Sequence, residues 1–151
     1  MVKSINIQNV VLAEQVLKLQ KASYQIEAEL INYYNIPPLT ENLVQLMNSK
    51  ETFVGFEKNK EIVGVLSYEI DNKEVTICRL AVNPENFRQG IAKALLRYLT
   101  KHIKVENIKV STGFFNIPAV QFYLNEGFIK SHESKIDELS IIHFIKRVPK
   151  K

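Results

Sequence analysis

The apolar positions of the chain change period several times, and each change marks an element. After a strand at Val2 to Ile7, the residues Leu12, Val16, Leu19, Ile26 and Leu30 recur on one helical stripe, which predicts one long helix or two short ones. Pro37 and Pro38 break "NIPPLTENLVQLMN", and a helix restarts behind Thr40 as N-cap with Leu43, Leu46 and Met47 turned inward. Three apolar-rich strands follow, "TFVGFE", "EIVGVLSYEI" and "EVTICRLAV"; their short polar joins "KNK" and "DNK" suit hairpins, so they predict an antiparallel meander. Helical spacing returns with Ile91, Ala94, Leu95, Tyr98 and Leu99, predicting a helix over Ile91 to Ile103. Next come a strand at Ile108 to Thr112, a helix at Ile117 to Asn125 stopped by Gly127, and two apolar-rich strands, Phe128 to Ser134 and Leu139 to Ile145. An antiparallel run feeding a strand-helix-strand crossover gives an α/β fold of the α+β type, a mixed, mainly antiparallel sheet flanked by helices.

Composition narrows the class. With 151 residues, 46% of them hydrophobic, the chain reads as a single domain with a sizeable core. Cys78 stands alone, so no intrachain disulfide forms, and no Cys/His cluster has metal spacing. The start "MVKSINI" lacks the apolar core of a signal peptide, and no apolar run is long enough for a bilayer; a cytoplasmic setting without membrane contact is expected. A net charge of +4 raises nucleic acid as a partner. The basic residues are scattered, however, with no basic helix or basic-aromatic surface, and the tail "KRVPKK" reads as a solvated end.

The informative junction is "AVNPENFRQGIAKALLRYL", where the meander passes into the crossover. The helix begins directly after Gly90, so unpaired amides and the positive end of its dipole gather there, and Gly90 and Ala92 let an anion approach the backbone. Arg88 and Lys93 add charge beside it. A diphosphate is a natural guest; equally, Gly90 could serve only to turn the chain.

The span "RLAVNPENFRQGIAKALL" resembles the GNAT superfamily of N-acetyltransferases, in which a strand ending L-A-V-x-P leads through R/Q-x-x-G-x-G/A into a helix. Phe87 stands where that family commonly has Arg or Gln; Arg88, Gln89, Gly90, Ile91, Ala92 and Lys93 follow in register. A second match lies in "VSTGFFNIPAVQFYLNEGFIK", where Asn116, Ala119, Tyr123, Gly127 and Phe128 fit a strand, an Asn and A-x-x-x-Y-x-x-x-G-F. The resemblance implies a GNAT-like acyl-CoA transferase fold with acetyl-CoA as cofactor. It implies that the amides of Phe87 to Lys93 wrap the diphosphate of coenzyme A and that Asn116 also contacts the cofactor. A bulged fourth strand would offer the backbone N–H groups of Leu80, Ala81 and Val82 to the pantetheine arm. Tyr123 would return a proton to the departing thiolate.

The reaction so implied moves an acetyl group directly to a primary amine of a small molecule or peptide. Some family members carry a glutamate base on the fourth strand, at the position that Thr76 occupies here. Glu74, two residues earlier and so on the same strand face, is the candidate substitute. Thr76 itself supports the alternative of a non-catalytic module that only binds acyl-CoA. The acceptor wall is expected from the first helices, where Tyr24, Glu27 and Tyr34 could hold an amine by charge and cation–π contact, with Arg79 as a candidate for an acidic substrate group. The final strand, if exposed, could pair across a two-fold axis as a homodimer.

Overall fold

Asn9 sets the first helix going: its side chain accepts hydrogen bonds from the amides of Val11 (3.0 Å) and Leu12 (3.1 Å). The computed structural model describes residues 1–149, and Lys150 and Lys151, the end of the basic tail, lie outside them. The long stripe resolves into one helix, α1 (Val10–Ile31), which ends where Asn32 adopts a left-handed conformation at φ +53°. Strand β1 (Val2–Ile5) is shorter than the sequence implies, because a turn supporting the Asn9 cap takes up the residues to Gln8. Two short helices, α2 (Pro37–Thr40) and α3 (Leu43–Met47), follow, the second closed by a reciprocal Asn42–Gln45 capping box.

The meander forms as β2 (Thr52–Lys58), β3 (Glu61–Asp71) and β4 (Glu74–Val82). A 3₁₀ turn at Pro84–Asn86 then leads to α4 (Ile91–His102), β5 (Asn107–Gly113), α5 (Ile117–Asn125), β6 (Ile129–Ile136) and β7 (Leu139–Arg147). Together the strands make one seven-stranded sheet in the order β1-β2-β3-β4-β5-β7-β6. Among the described residues only β4 and β5 run parallel, as the crossover through α4 requires. Lys146 and Arg147, expected in a solvated tail, belong to β7 instead. β6 departs further from expectation: every residue is exposed, because "IKSHESKI" forms the sheet's outer edge with no helix over it.

Alternation along the strands feeds two cores, one on each face. Phe53, Val65 and Ala81 pack with Val16, Leu19 and Leu46 under α1 and α3; Val54, Leu66 and Val75 pack on the other face with Leu95, Leu99 and Phe128. β4 crosses this pattern with an extra residue. Ser67 pairs with Arg79 and Tyr68 with Ile77, leaving Cys78 without a partner across the ladder. The bulge resets the count, so Val75 and Ile77 before it face the same core as Leu80 and Val82 after it. Helix α4 rests very close to the sheet at Gly64, where a Cβ would meet Ile91 Cγ2 at 2.5 Å.

Candidate active site

Past the bulge, β4 loses its parallel neighbour. The β4–β5 register covers only Glu74 with Asn107, Val75 with Ile108 and Thr76 with Lys109, and beyond it the strands part. A cleft of about 1100 Å³ opens between them, walled by α1, α5 and the start of α4. A strand edge without a partner leaves main-chain donors available to a ligand. Leu80 and Val82 line this cleft, whereas Ala81 turns into the core beneath α1.

At one end of the cleft stands the start of α4. Gly90 takes φ +75°, caps the helix without any side-chain bond, and has nothing within 4 Å of where a Cβ would sit. The first backbone bond of the helix reaches Gly90 O from Ala94 N (3.0 Å), so the amides of Ile91, Ala92 and Lys93 precede the helical ladder. Arg88 is left-handed as well, at φ +63°, a conformation that costs a non-glycine residue about 1 kcal/mol. Phe87, Arg88, Gly90, Ile91, Ala92 and Lys93 all line the mouth. Gln89 does not: its side chain turns outward and accepts from Lys58 Nζ at 2.9 Å.

Midway along the cleft, α1 and α5 bring three functional groups together. Tyr123 is 6% exposed, its ring fixed edge-on between Phe122 (5.3 Å) and Phe128 (5.4 Å). Among the described residues its hydroxyl has no hydrogen-bond partner and no polar side-chain atom is both buried and unpaired, so the group reaches the cleft. Burial raises its pKa well above the usual phenol, and the neighbouring Tyr24 and Glu27 add to the rise. Tyr24 is raised too, chiefly by burial and then by Glu27, while its oxygen accepts from the Leu80 amide at 3.3 Å. Glu27 Oε1 accepts from Asn116 Nδ2 (2.9 Å) and Thr112 Oγ1 (3.2 Å), which leaves Oε2 without a partner among the described residues. Asn116 also caps α5 through Ala119 N (3.3 Å), so one residue fixes both the helix and the carboxylate.

Four sequence-derived site residues lie elsewhere or do other work. Glu74 sits at the far end of β4, where the strands are still paired, and meets Lys109 Nζ at 3.1 Å; it does not line the cleft. Tyr34 is half exposed and outside the cleft, and Tyr33 lines it instead. Gln89 offers at most its amide. Arg79, expected to face an acidic substrate, borders the cleft but is 7% exposed, with its charge paired to Glu41 and Glu51. It donates to Glu51 Oε1 (3.0 Å) and Oε2 (3.2 Å), Glu41 Oε1 (2.7 Å), Gln20 Oε1 (2.8 Å) and Ser67 Oγ (3.0 Å). This cluster pins the segment carrying Pro38 and Glu41 against the sheet, since Gln20 also donates to Pro38 O at 2.8 Å. A signal for it existed: Gln20 follows Val16 by four residues, a polar side chain on the buried stripe of α1. Cys78 opens on the cleft, but desolvation, with Glu51 and Glu69 nearby, pushes its thiol up to about 11, which keeps it a poor nucleophile.

The acetyltransferase (GNAT) domain model matches residues 18–145, and the chain belongs to this family, which uses acetyl-CoA. The chain is 37% identical over 147 residues to the UPF0157 protein YqkA of Bacillus subtilis (strain 168), across 95% of this chain and 43% of that protein. It therefore spans under half the length of that relative. In fold it is similar to the ribosomal-protein-S18-alanine N-acetyltransferase of Escherichia coli, with a TM-score of 0.78 at 13% identity over 100% of this chain and 95% of the other. The PaiA N-acetyltransferase of Thermoplasma acidophilum, solved in complex with coenzyme A, gives a TM-score of 0.78 at 16% identity over 97% and 98%. Among the described residues no helix is long and apolar enough to cross a membrane.

Proposed function

We propose that this chain transfers the acetyl group of acetyl-CoA to a primary amine. One observation carries the reading: a single cleft joins the open start of α4 to the Tyr123 hydroxyl and the Glu27 carboxylate. The residues suit the cofactor, because the space above Gly90 is clear of protein atoms and the parted edge of β4 leaves room for an extended arm. Bound there, acetyl-CoA would supply an acetyl group activated as a thioester.

The demands on the protein follow from proton affinities. An alkylamine with a pKa near ~10.4 is unprotonated in fewer than about one molecule in a thousand at neutral pH. Deprotonation is thus the heavier task. Glu27 Oε2, beside Tyr123, is free to receive the ammonium and take its proton, directly or through water. A departing thiolate, near ~8.5, needs less help. Tyr123 stays protonated throughout the working pH range and holds a hydroxyl proton for that sulfur, regaining one from the newly bonded nitrogen. Backbone N–H groups at Leu80 and Val82 would stabilise charge growing on the carbonyl oxygen.

A second reading, a module that binds acyl-CoA without turnover, draws on Thr76 and on Glu74 lying away from the cleft. Two measurements separate them. The thermal midpoint with and without acetyl-CoA, against free adenosine diphosphate, reads cofactor binding; a ligand at ~100 times its Kd should add about 2.7 kcal/mol. Release of free thiol in the presence of amines then reads transfer. A shift without thiol release would favour the module, and no shift at millimolar ligand would remove both readings.

A further inference from the structure

The half of the cleft beyond Glu27 presents a largely apolar surface, although it is open to solvent. Leu30 from α1, Ile36 and Pro37 at the entry to α2, and Ile136, Leu139 and Ile141 from the β6–β7 hairpin face it. Leu30 is 47% exposed and Ile136 is 56% exposed, so the surface they offer is uncovered in the free protein. Two carboxylates belong to this half. Glu27 lies at its inner end with Oε2 free, and Asp137 lies at the hairpin tip, where Tyr33 donates a long hydrogen bond (3.5 Å) to its Oδ2. That contact sets Tyr33, two residues past α1, against the hairpin tip at the outer end. Arg79 contributes no uncompensated charge to this half, since Glu41 and Glu51 both pair with it.

We propose that the acceptor is a small primary amine carrying one positive charge on an apolar body, its ammonium at Glu27 and its body against Leu30, Ile36 and Ile141. This rests on the amine-acetyltransferase reading and names its substrate class. A carboxylate already held by two donors receives one cation well. A second ammonium on a short chain would instead lie among Leu30, Ile36 and Ile141, where desolvation has no compensating partner short of Asp137 at the exposed hairpin tip. The Tyr33–Asp137 contact at the outer end favours a molecule that ends inside the cleft over a polypeptide that must continue through it. Apolar contact also grades affinity by length, since a methylene in a hydrophobic pocket changes kcat/KM by roughly tenfold or more.

The test uses the intact chain with acetyl-CoA and matched acceptors: ethylamine, butylamine, hexylamine and phenethylamine against 1,4-diaminobutane, spermidine and an apolar tripeptide. Acetyl-CoA binding is followed in parallel by thermal shift. The expected result is that kcat/KM rises from ethylamine to hexylamine by at least about tenfold and that butylamine exceeds 1,4-diaminobutane. Ile141→Glu should invert that last preference while keeping the acetyl-CoA shift, which shows that the variant is folded. A preference of the natural chain for diamines, spermidine or the tripeptide, with the shift intact, overturns the substrate class and leaves the transferase reading standing. The shift with no amine accepted overturns the proposal in favour of the non-catalytic module. Loss of the shift itself overturns both.

Discussion

The Tyr24 hydroxyl accepts a hydrogen bond from the backbone amide of Leu80 at 3.3 Å, joining α1 to β4 two residues beyond the bulge. That amide belongs to the strand edge proposed to meet the cofactor, so Tyr24 fills in the free protein a position that a carbonyl oxygen would claim. Tyr24→Phe should lower the stability of the free protein by about 1 kcal/mol, the usual worth of such a bond. It should also enlarge the thermal shift produced by acetyl-CoA, because a competitor for the amide is gone. An unchanged or smaller shift would show that the two do not compete.

Arg79 gives the largest expected loss of stability. Arg79→Met leaves Glu41 and Glu51 facing each other without a counter-charge at a largely buried position, and breaking such a cluster costs about 3–5 kcal/mol. Denaturant melts of the two proteins measure it. Loss well below 1 kcal/mol would mean that the carboxylates find water in the variant.

The same cluster sets an acid limit. Burial pushes the Glu51 carboxyl up, but hydrogen bonds from Arg79 and Ser67 outweigh it and hold the group below the ordinary range. A carboxyl lowered in the folded state contributes stability that is full above its unfolded pKa, near ~4.3, and disappears as pH falls through the folded value. The thermal midpoint should therefore drop below about pH 4. Glu51→Gln should lower the neutral plateau and flatten the acid fall, and an acid limb of unchanged steepness would point to other carboxylates.

Tyr123→Phe separates proton supply from packing. Its ring stays edge-on to Phe122 and Phe128, and the hydroxyl that is lost has no protein partner among the described residues. Turnover should fall by about a hundredfold or more, the range for a positioned acid. The acetyl-CoA thermal shift should stay at the natural value. Equal kcat at saturating amine would remove Tyr123 from the chemistry.

Gly90 separates backbone strain from ligand access. An alanine there must hold φ +75° at a cost of about 1–2 kcal/mol, while its Cβ meets no protein atom. Gly90→Ala should lower the free midpoint modestly and reduce the acetyl-CoA shift, since the added methyl occupies the approach to the Ile91 and Ala92 amides. A shift as large as that of the natural chain would place the diphosphate elsewhere.

The elements that the sequence revealed are those whose physics is local. Ile91, Leu95 and Leu99 declare α4 by spacing alone, Gly127 marks the stop of α5, and Gly90 marks a turn. Arg79 was opaque because its partners Glu41 and Glu51 stand 38 and 28 positions away. Nothing near a strand-end arginine indicates that two loops will fold over it. Glu74 was misplaced for a related reason. Its strand face was read correctly, but where β4 and β5 part depends on a pairing between residues about thirty positions apart, Thr76 with Lys109. β6 was expected over Phe128 to Ser134 as an apolar-rich strand, while its exposed edge position comes from β7 inserting between it and β5.

The unpaired residue at Cys78 makes the cleft a matter of residue number more than of residue type. Exchanging that thiol for another small side chain leaves the count between Ile77 and Leu80 unchanged, and with it the two cores. Removing one residue would rotate the far half of β4, sending Leu80 and Val82 beneath α1 and turning the Arg79 guanidinium into the apolar core on the opposite face. At Cys78 itself, therefore, a change of side chain is tolerated where a change of length is not.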